Sequence, residues 1–85
     1  ENAYTISNGE YEVIEAEIIE TSELINKELK NSNFPEEIRI GAILRNKKVI
    51  IPRSDFVFKK EDQVVFLAKK DSISFVENMF RLSSV

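Results

Sequence analysis

The strongest constraint on the fold is a hairpin pattern between Ile38 and Pro52. Its first half alternates apolar and other residues, which predicts a half-buried strand. Asn46-Lys47 can form a two-residue turn because Asn tolerates positive φ, although Gly is favoured at the second position. Val49 to Ile51 form the return strand, and Pro52 ends it because proline cannot donate to a sheet. The residues expected to share one face of the first strand are Ile38, Ile40, Ala42 and Leu44.

Three other segments are predicted to be strands. Residues 11–19 alternate, with Ile14, Ala16 and Ile18 on one face. Residues 56–58 are apolar and predict a short strand. Gln63 to Ala68 is apolar on both faces, which is typical of a central strand covered on both sides. Residues 1–10 show no hydrophobic periodicity, which predicts a linker or a frayed end.

Two helices complete the predicted order, β-α-β-β-(β)-β-α, where the bracketed strand is residues 56–58; without that short strand the order is β-α-β-β-β-α. Residues 11–85 are thus predicted to form one α+β domain. Thr21 or Ser22 can cap a short first helix, which ends before Pro35. The second helix runs from about Ser72 to Leu82, and its apolar arc of about 180° is wider than an ordinary surface helix needs. We therefore expect it to dimerise or to dock on another domain, through Phe75, Met79, Phe80 and Leu82.

The composition excludes most enzyme chemistry. The chain has 85 residues, enough for one small domain, and contains no Cys and no His. It therefore lacks disulfides, a thiolate nucleophile, cysteine zinc sites and the usual general base at neutral pH. No apolar run approaches the roughly 20 residues of a membrane helix. Because the chain begins at Glu1 rather than Met, we expect it to be part of a longer protein.

The remaining candidates for catalysis are weak. Glu15 and Glu17 share a strand face but are interpreted as solvated charges opposite a buried face. The pair Glu61-Asp62 is interpreted as turn acids. Two glycines are too few for a phosphate-binding loop, and Ser54-Asp55 has no His to complete a triad. We predict no catalytic residue, no metal site and no enzymatic activity.

The net charge of −3 conceals a strong asymmetry. Residues 1–37 hold ten acidic and two basic residues, whereas residues 38–85 hold five acidic and ten basic ones. Basic residues bracket the hairpin, where guanidinium groups suit an anion such as phosphate. Alternatively, they only keep the hairpin soluble and discourage edge pairing. Nucleic acid is not an expected partner, because the chain is net acidic and lacks an RNP-type motif.

Four stretches of the chain together resemble the TrkA C-terminal domain, also called the RCK C-lobe. They are GEYEVIEAEI, PEEIRIGAILRNKKVIIP, SDFVFKKEDQVVFLAKKD and VENMFRLSS, in the family's order between Gly9 and Ser84. The chain departs from the family pattern at three positions, where Asn26, Ser54 and Glu61 replace glycines. Asn tolerates the same backbone as Gly, whereas the other two changes affect the expected loop geometry.

The resemblance implies a cytoplasmic regulatory module, peripheral to the inner membrane in the full-length protein, in a Trk-type potassium-uptake system. It implies a homodimer, a membrane potassium-transport partner, and a small anionic ligand such as a cyclic dinucleotide. NAD or ATP is expected only in a preceding Rossmann-type lobe, with no cofactor in this part. The positions that match the family's ligand site are Arg45, which would pair with a phosphate, and Ile51 and Pro52, which would form an apolar wall of the site. We add Lys48 and Arg53 to this predicted ligand site because they are positively charged and close in sequence to the matched positions.

The sequence leaves two other hypotheses open. The chain could be a purely structural oligomerisation lobe, which the wide apolar arc of the last helix supports equally well. It could also be a regulatory lobe of another cation channel or carrier. The leading hypothesis is a ligand-sensing and dimerising domain.

Overall fold

The fold is a single antiparallel sheet with one covered face. The computed structural model describes the backbone of residues 2–81 and the side chains of residues 5–75, 77 and 80. The strands are β1 (Asn2–Ile6), β2 (Tyr11–Glu17), β3 (Ile38–Arg45), β4 (Lys48–Ile50) and β5 (Gln63–Lys69). Their order across the sheet is β1-β2-β5-β3-β4. One helix, α1 (Ile73–Arg81), follows a 3-10 turn at Lys70–Ser72, which confirms the α+β class.

The first residues form an edge strand, so the prediction of a linker is wrong for residues 2–6. β1 pairs with β2 from Asn2↔Glu15 to Ile6↔Tyr11. The connection is tight because three consecutive residues, Ser7, Asn8 and Gly9, have positive φ. Five residues are too few to show the hydrophobic alternation of a strand. The turn-type residues that follow, Ser7 to Gly9, also favoured the interpretation as a loop.

The hairpin of β3 and β4 is confirmed. Asn46 and Lys47 both have positive φ, 52° and 65°, as a type I′ turn requires. The two strands pair over three positions, from Ile43↔Ile50 to Arg45↔Lys48. However, a register shift between Ile40 and Ala42 marks a bulge at Gly41. One inserted residue turns every later side chain of the strand to the other face of the sheet. Ala42 and Leu44 therefore lie on the face away from Ile38 and Ile40, whereas the sequence predicted that all four share one face.

β5 is the central strand, but only one of its faces is covered by described residues. Val64, Phe66 and Ala68 are completely buried, whereas Leu67 on the other face is 36% exposed. The described residues therefore cover one face, where the sequence predicted cover on both. An apolar run shows that both faces avoid water, but it cannot show whether the same chain covers both.

The predicted first helix is replaced by turns and a 3-10 segment at Leu29–Asn31. Ser22 Oγ accepts the N–H of Leu24, a local bond that competes with a helix, and Asn26 has φ 68°. The backbone of residues 26–30 instead hydrogen-bonds to residues 54–58, through bonds such as Leu29 N–H to Phe56 O at 2.8 Å. The predicted strand at 56–58 is reduced to a single bridge, Glu28↔Val57.

The hydrophobic core lies between the inner face of the sheet and these loops. Ile18, Leu24 and Phe58 are fully buried beneath Val64 and Phe66. α1 closes the same side, because the ring of Phe80 stacks on Phe66 at 5.5 Å between centroids. Among the described residues, no helix is long and apolar enough to span a bilayer.

Candidate functional site

The candidate site is the corner formed by the hairpin and the chain that follows it. β3 and β4 place Arg45 opposite Lys48, and the chain continues through Ile51 and Pro52 to Arg53. Lys48 and Arg53 are exposed, and neither forms an ion pair with a described residue. Ile51 is 72% exposed, and the neighbouring Val49 is 67% exposed. The corner therefore combines free cations with open apolar side chains.

Arg45 is held inside the chain. Its Nε lies 2.7 Å from Asp62 Oδ1, and its Nη2 lies 2.7 Å from Asp62 Oδ2. Nη2 also donates to the carbonyl of Val57 at 2.9 Å, and the guanidinium lies 4.8 Å from the ring centre of Phe56. A bidentate, stacked guanidinium of this kind is strongly fixed in position.

Asp62 is the partner that sequence reasoning missed. It is 1% exposed, and Oδ2 also accepts the N–H of Lys59 at 2.8 Å. Its backbone carbonyl accepts from Ile18, and Glu61 N–H donates back to the carbonyl of Ile18. Asp62 lies in the loop before β5, as predicted, but the interpretation as a turn acid did not include its burial or its pairing with Arg45. No local signal in the sequence points to this pairing, because Arg45 lies 17 residues before Asp62.

The loop before Asp62 keeps a glycine-like backbone without a glycine. Glu61 has φ 73° and Asn26 has φ 68°, and both stand where the resemblance places glycines. The left-handed conformation is thus retained at both positions, at a steric cost for Glu61.

The ion pair limits what Arg45 can offer to an anion. Three of its five N–H groups, on Nε and Nη2, point to Asp62 and Val57. The hydrogen bond from Asp62 raises the pKa of Arg45 above its usual value, although partial burial opposes this. The carboxylate also neutralises the guanidinium locally. An anion at this corner would therefore be attracted mainly by Lys48 and Arg53.

Two open grooves lie elsewhere on the described surface. One, of about 440 Å³, is lined by residues that include Leu29, Phe34, Lys30 and Arg39. The other, of about 350 Å³, lies between Asn8–Glu10 and Lys69–Asp71. None of the five predicted ligand residues lines either groove. The described residues contain no group of three or more carboxylates that could hold a metal ion.

The predicted interface on the last helix is only partly accessible. Phe80 is 4% exposed and stacked on Phe66, so assigning it to an interface is wrong: its ring fills the core of its own chain. Phe75 is 38% exposed on α1. The side chain of Met79 and the whole of Leu82 lie outside the described residues.

Comparison with known proteins places this fold and sequence in one family. The family model described as the TrkA-C domain matches residues 13–81. The Trk system potassium uptake protein TrkA of Azorhizobium caulinodans is 40% identical over 80 residues, which cover 94% of this chain and 18% of that protein. The homolog 1 protein of Methanosarcina mazei is 35% identical over 77 residues, covering 91% of this chain and 17% of that protein.

The solved structures agree on the fold. A chain described as "Structure of RCK domain with cda" superposes with a TM-score of 0.71 at 20% identity, covering 81% of this chain and 97% of that one. The present chain thus spans about a fifth of the curated relatives it matches. Their names describe a potassium transport system rather than an enzyme. The family match covers most of the chain, and this protein belongs to the TrkA-C domain family.

Proposed function

We propose that this chain is the ligand-sensing and dimerising regulatory domain of a Trk-type potassium-uptake system. The observation that carries the proposal is the family match over residues 13–81, together with relatives named as Trk potassium uptake proteins. In the full-length protein, the domain would act at the cytoplasmic face of the inner membrane on the potassium-transport subunit. The domain is not proposed to contact the lipid bilayer itself.

The proposed ligand is a small anion of the cyclic dinucleotide class. Lys48 and Arg53 are exposed cations that can meet phosphate charge, and Ile51 and Pro52 provide an apolar wall beside them. The structural neighbour was solved with a molecule abbreviated "cda", which motivates the choice of probe. Arg45 would fix the corner in place and contribute only through Nη1, because Asp62 holds its other edge.

The proposed mechanism is a shift between two arrangements of a dimer. A ligand that binds one arrangement more tightly raises its population in proportion to the difference in affinity. The change would then pass through the rest of the full-length protein to the transport subunit. No covalent chemistry is required, which is consistent with the lack of His and Cys in the chain.

Isothermal titration calorimetry with cyclic di-AMP tests the ligand. We expect binding by the 85-residue chain that weakens about 5- to 30-fold in Lys48→Ala and in Arg53→Ala, because each removes a charged hydrogen bond. Lys27→Ala, which removes an exposed lysine away from the hairpin, is the matched control. ATP and NADH are expected not to bind tightly. Absence of heat with cyclic di-AMP at near-millimolar concentration would contradict the ligand part of the proposal.

A second candidate is a purely structural oligomerisation lobe. The large exposure of Val49 and Ile51 favours it, because open apolar side chains suit a permanent contact as well as a ligand wall. Such a lobe would be equally dimeric with and without cyclic di-AMP in sedimentation experiments. A ligand-dependent change in sedimentation or in dimer affinity supports sensing instead.

A further inference from the structure

The most exposed apolar side chains of the described residues lie along one edge of the sheet. β4 is the last strand in the sheet order, so no described strand pairs with its far side. Val49, within β4, is 67% exposed, and Ile51, directly after β4, is 72% exposed; the next large apolar side chain, Ile6, reaches 47%. An exposed apolar strand edge is a template for pairing with another chain. We call residues 48–52 the open edge.

The pairing register shows that the main chain of Val49 also faces outward. The two-residue type I′ turn joins Arg45 and Lys48 by hydrogen bonds across the hairpin. In an antiparallel pair, hydrogen-bonded and non-hydrogen-bonded positions alternate, so the next pair, Leu44↔Val49, is non-hydrogen-bonded. The N–H and C=O of Val49 therefore point away from β3, toward the open edge.

Ile51 repeats the arrangement of Val49 two residues further along. Ile50, between them, packs against the core while both neighbours are exposed, as in an extended chain. Pro52 follows and also favours an extended backbone at Ile51. Outside the strands, no backbone hydrogen bond between described residues involves Ile51. The edge thus presents two donors and two acceptors about 7 Å apart, the spacing that an added β-strand uses.

The open edge is flanked by positive charge. Residues 46–55 contain one acid, Asp55, and the three cations Lys47, Lys48 and Arg53. All three cations are exposed, and none forms an ion pair with another described residue. Two of them precede the exposed apolar pair, and one follows it. An occupant with a carboxylate near each end therefore gains favourable electrostatic contacts.

The same charges disfavour a second copy of this chain at the open edge. The antiparallel register that uses both outward positions pairs Val49 with Ile51 of the second copy. Lys47 then lies opposite Arg53 at both ends of the pair, and like charges in opposite positions destabilise paired strands. A short edge strand that carries lysine is a common protection against pairing with an identical chain. An acidic strand remains as the complementary partner.

We propose that the open edge binds an extended acidic segment of another protein by strand addition. The segment carries two apolar residues at alternate positions, opposite Val49 and Ile51, and a carboxylate near each end, for Lys47 and Arg53. The inference rests on the regulatory function proposed above, to which it adds a protein partner at the same corner. Because the proposed cyclic dinucleotide also uses Lys48 and Arg53, the segment and the nucleotide are expected to exclude each other.

Fluorescence anisotropy with a labelled peptide tests the charge requirement. The probe is Glu-Thr-Val-Thr-Val-Thr-Glu, titrated with the 85-residue chain. The matched control, Lys-Thr-Val-Thr-Val-Thr-Lys, keeps the apolar residues and reverses the charge, and we expect it to bind at least about 10-fold more weakly. Equal binding of the two peptides, or no binding of the acidic peptide at near-millimolar concentration, would overturn the proposal.

Val49→Pro tests the main-chain contact. It removes the outward N–H without removing a hydrogen bond to β3, and proline is tolerated in an edge strand where the N–H faces solvent. We expect the acidic peptide to bind about 10-fold more weakly or worse, with the urea midpoint of the chain little changed. Val49→Thr keeps the N–H and the branched shape, and this control should weaken binding less than about 3-fold. Unchanged binding by Val49→Pro would contradict strand addition.

A charge exchange distinguishes direct binding from a loss of folding. Arg53→Glu is expected to weaken binding of the acidic peptide and to strengthen binding of the basic control peptide, because it reverses the charge at one end of the edge. Lys27→Glu, at an exposed lysine away from the hairpin, should alter neither. An unfolded variant would lose both peptides, so a gain for the basic peptide requires a folded chain. If Arg53→Glu leaves both affinities unchanged, the segment does not lie at this edge.

The outcomes separate this inference from the proposed function. Binding of cyclic di-AMP without binding of the acidic peptide overturns the inference and leaves ligand sensing standing. Binding of the peptide alone supports the inference and contradicts the ligand part of the proposed function. If both bind, cyclic di-AMP should displace the peptide, and a ternary complex would overturn the placement at the hairpin corner. Self-association that Val49→Pro abolishes without any peptide would show a second copy at the edge and overturn the acidic partner.

Discussion

At the scale of single residues, the domain depends on one internal ion pair. Asp62 is almost completely buried, and Arg45 meets both of its carboxylate oxygens at 2.7 Å. Because the folded-state pKa of Arg45 is raised, the stabilisation is fully present at neutral pH. It would be lost only as the pH rises through that raised value, far into the alkaline range. Stability near neutral pH is thus insensitive to the protonation of Arg45.

Substitution of Arg45 should therefore affect the stability of the fold more than the binding of a ligand. We expect Arg45→Ala to lower the free energy of unfolding by about 3 kcal/mol or more, because it leaves a buried charge without its partner. The double variant Arg45→Ala with Asp62→Asn should be more stable than Arg45→Ala, since the uncompensated charge is gone. Urea denaturation measures both, with Arg53→Ala as an exposed control within about 0.5 kcal/mol. Equal stability of the single and double variants would show that the pair is not coupled.

At the scale of the elements, the sequence predicted the structures that depend on neighbouring residues and missed those that depend on contacts between distant ones. The hairpin was predictable because Asn46 and the flanking alternation act over a few residues. The bulge at Gly41 was not, since its effect depends on pairing with β5. The segment after Thr21 has apolar spacing that also suits a helix, but its backbone pairs with residues 54–58 instead. Similarly, Arg45 and Asp62 are 17 residues apart, and nothing local predicts their contact.

The hairpin turn gives a prediction for an element as a whole. Lys47 has φ 65°, a conformation that costs an ordinary side chain about 1 kcal/mol relative to Gly. Lys47→Gly is therefore expected to stabilise the chain by about 0.5–1 kcal/mol, visible as a higher urea midpoint. Lys48→Gly, one residue further and inside β4, is the matched control and should destabilise by a similar amount. A loss of stability in Lys47→Gly would contradict the type I′ assignment.

At the scale of the whole molecule, the two faces of the sheet have different roles. The inner face holds the loops and α1 and makes the chain a folded unit. The hairpin corner lies at the edge of the sheet with Val49 and Ile51 open to solvent, and it carries the proposed ligand contacts. Variants of inner-face residues should therefore affect folding within one chain, whereas variants of exposed corner residues should affect binding.

Phe80 tests this division directly. Its ring stacks on Phe66 inside one chain, so Phe80→Leu should cost about 1–1.5 kcal/mol, or roughly 5–10 °C in melting temperature. The loss should be the same over a 100-fold range of protein concentration, because the contact does not require a second chain. Phe75→Leu, on the exposed side of α1, should change the melting temperature little. If Phe80 lay at an interface, Phe80→Leu would instead abolish the concentration dependence of melting, and the inner face would no longer explain its burial.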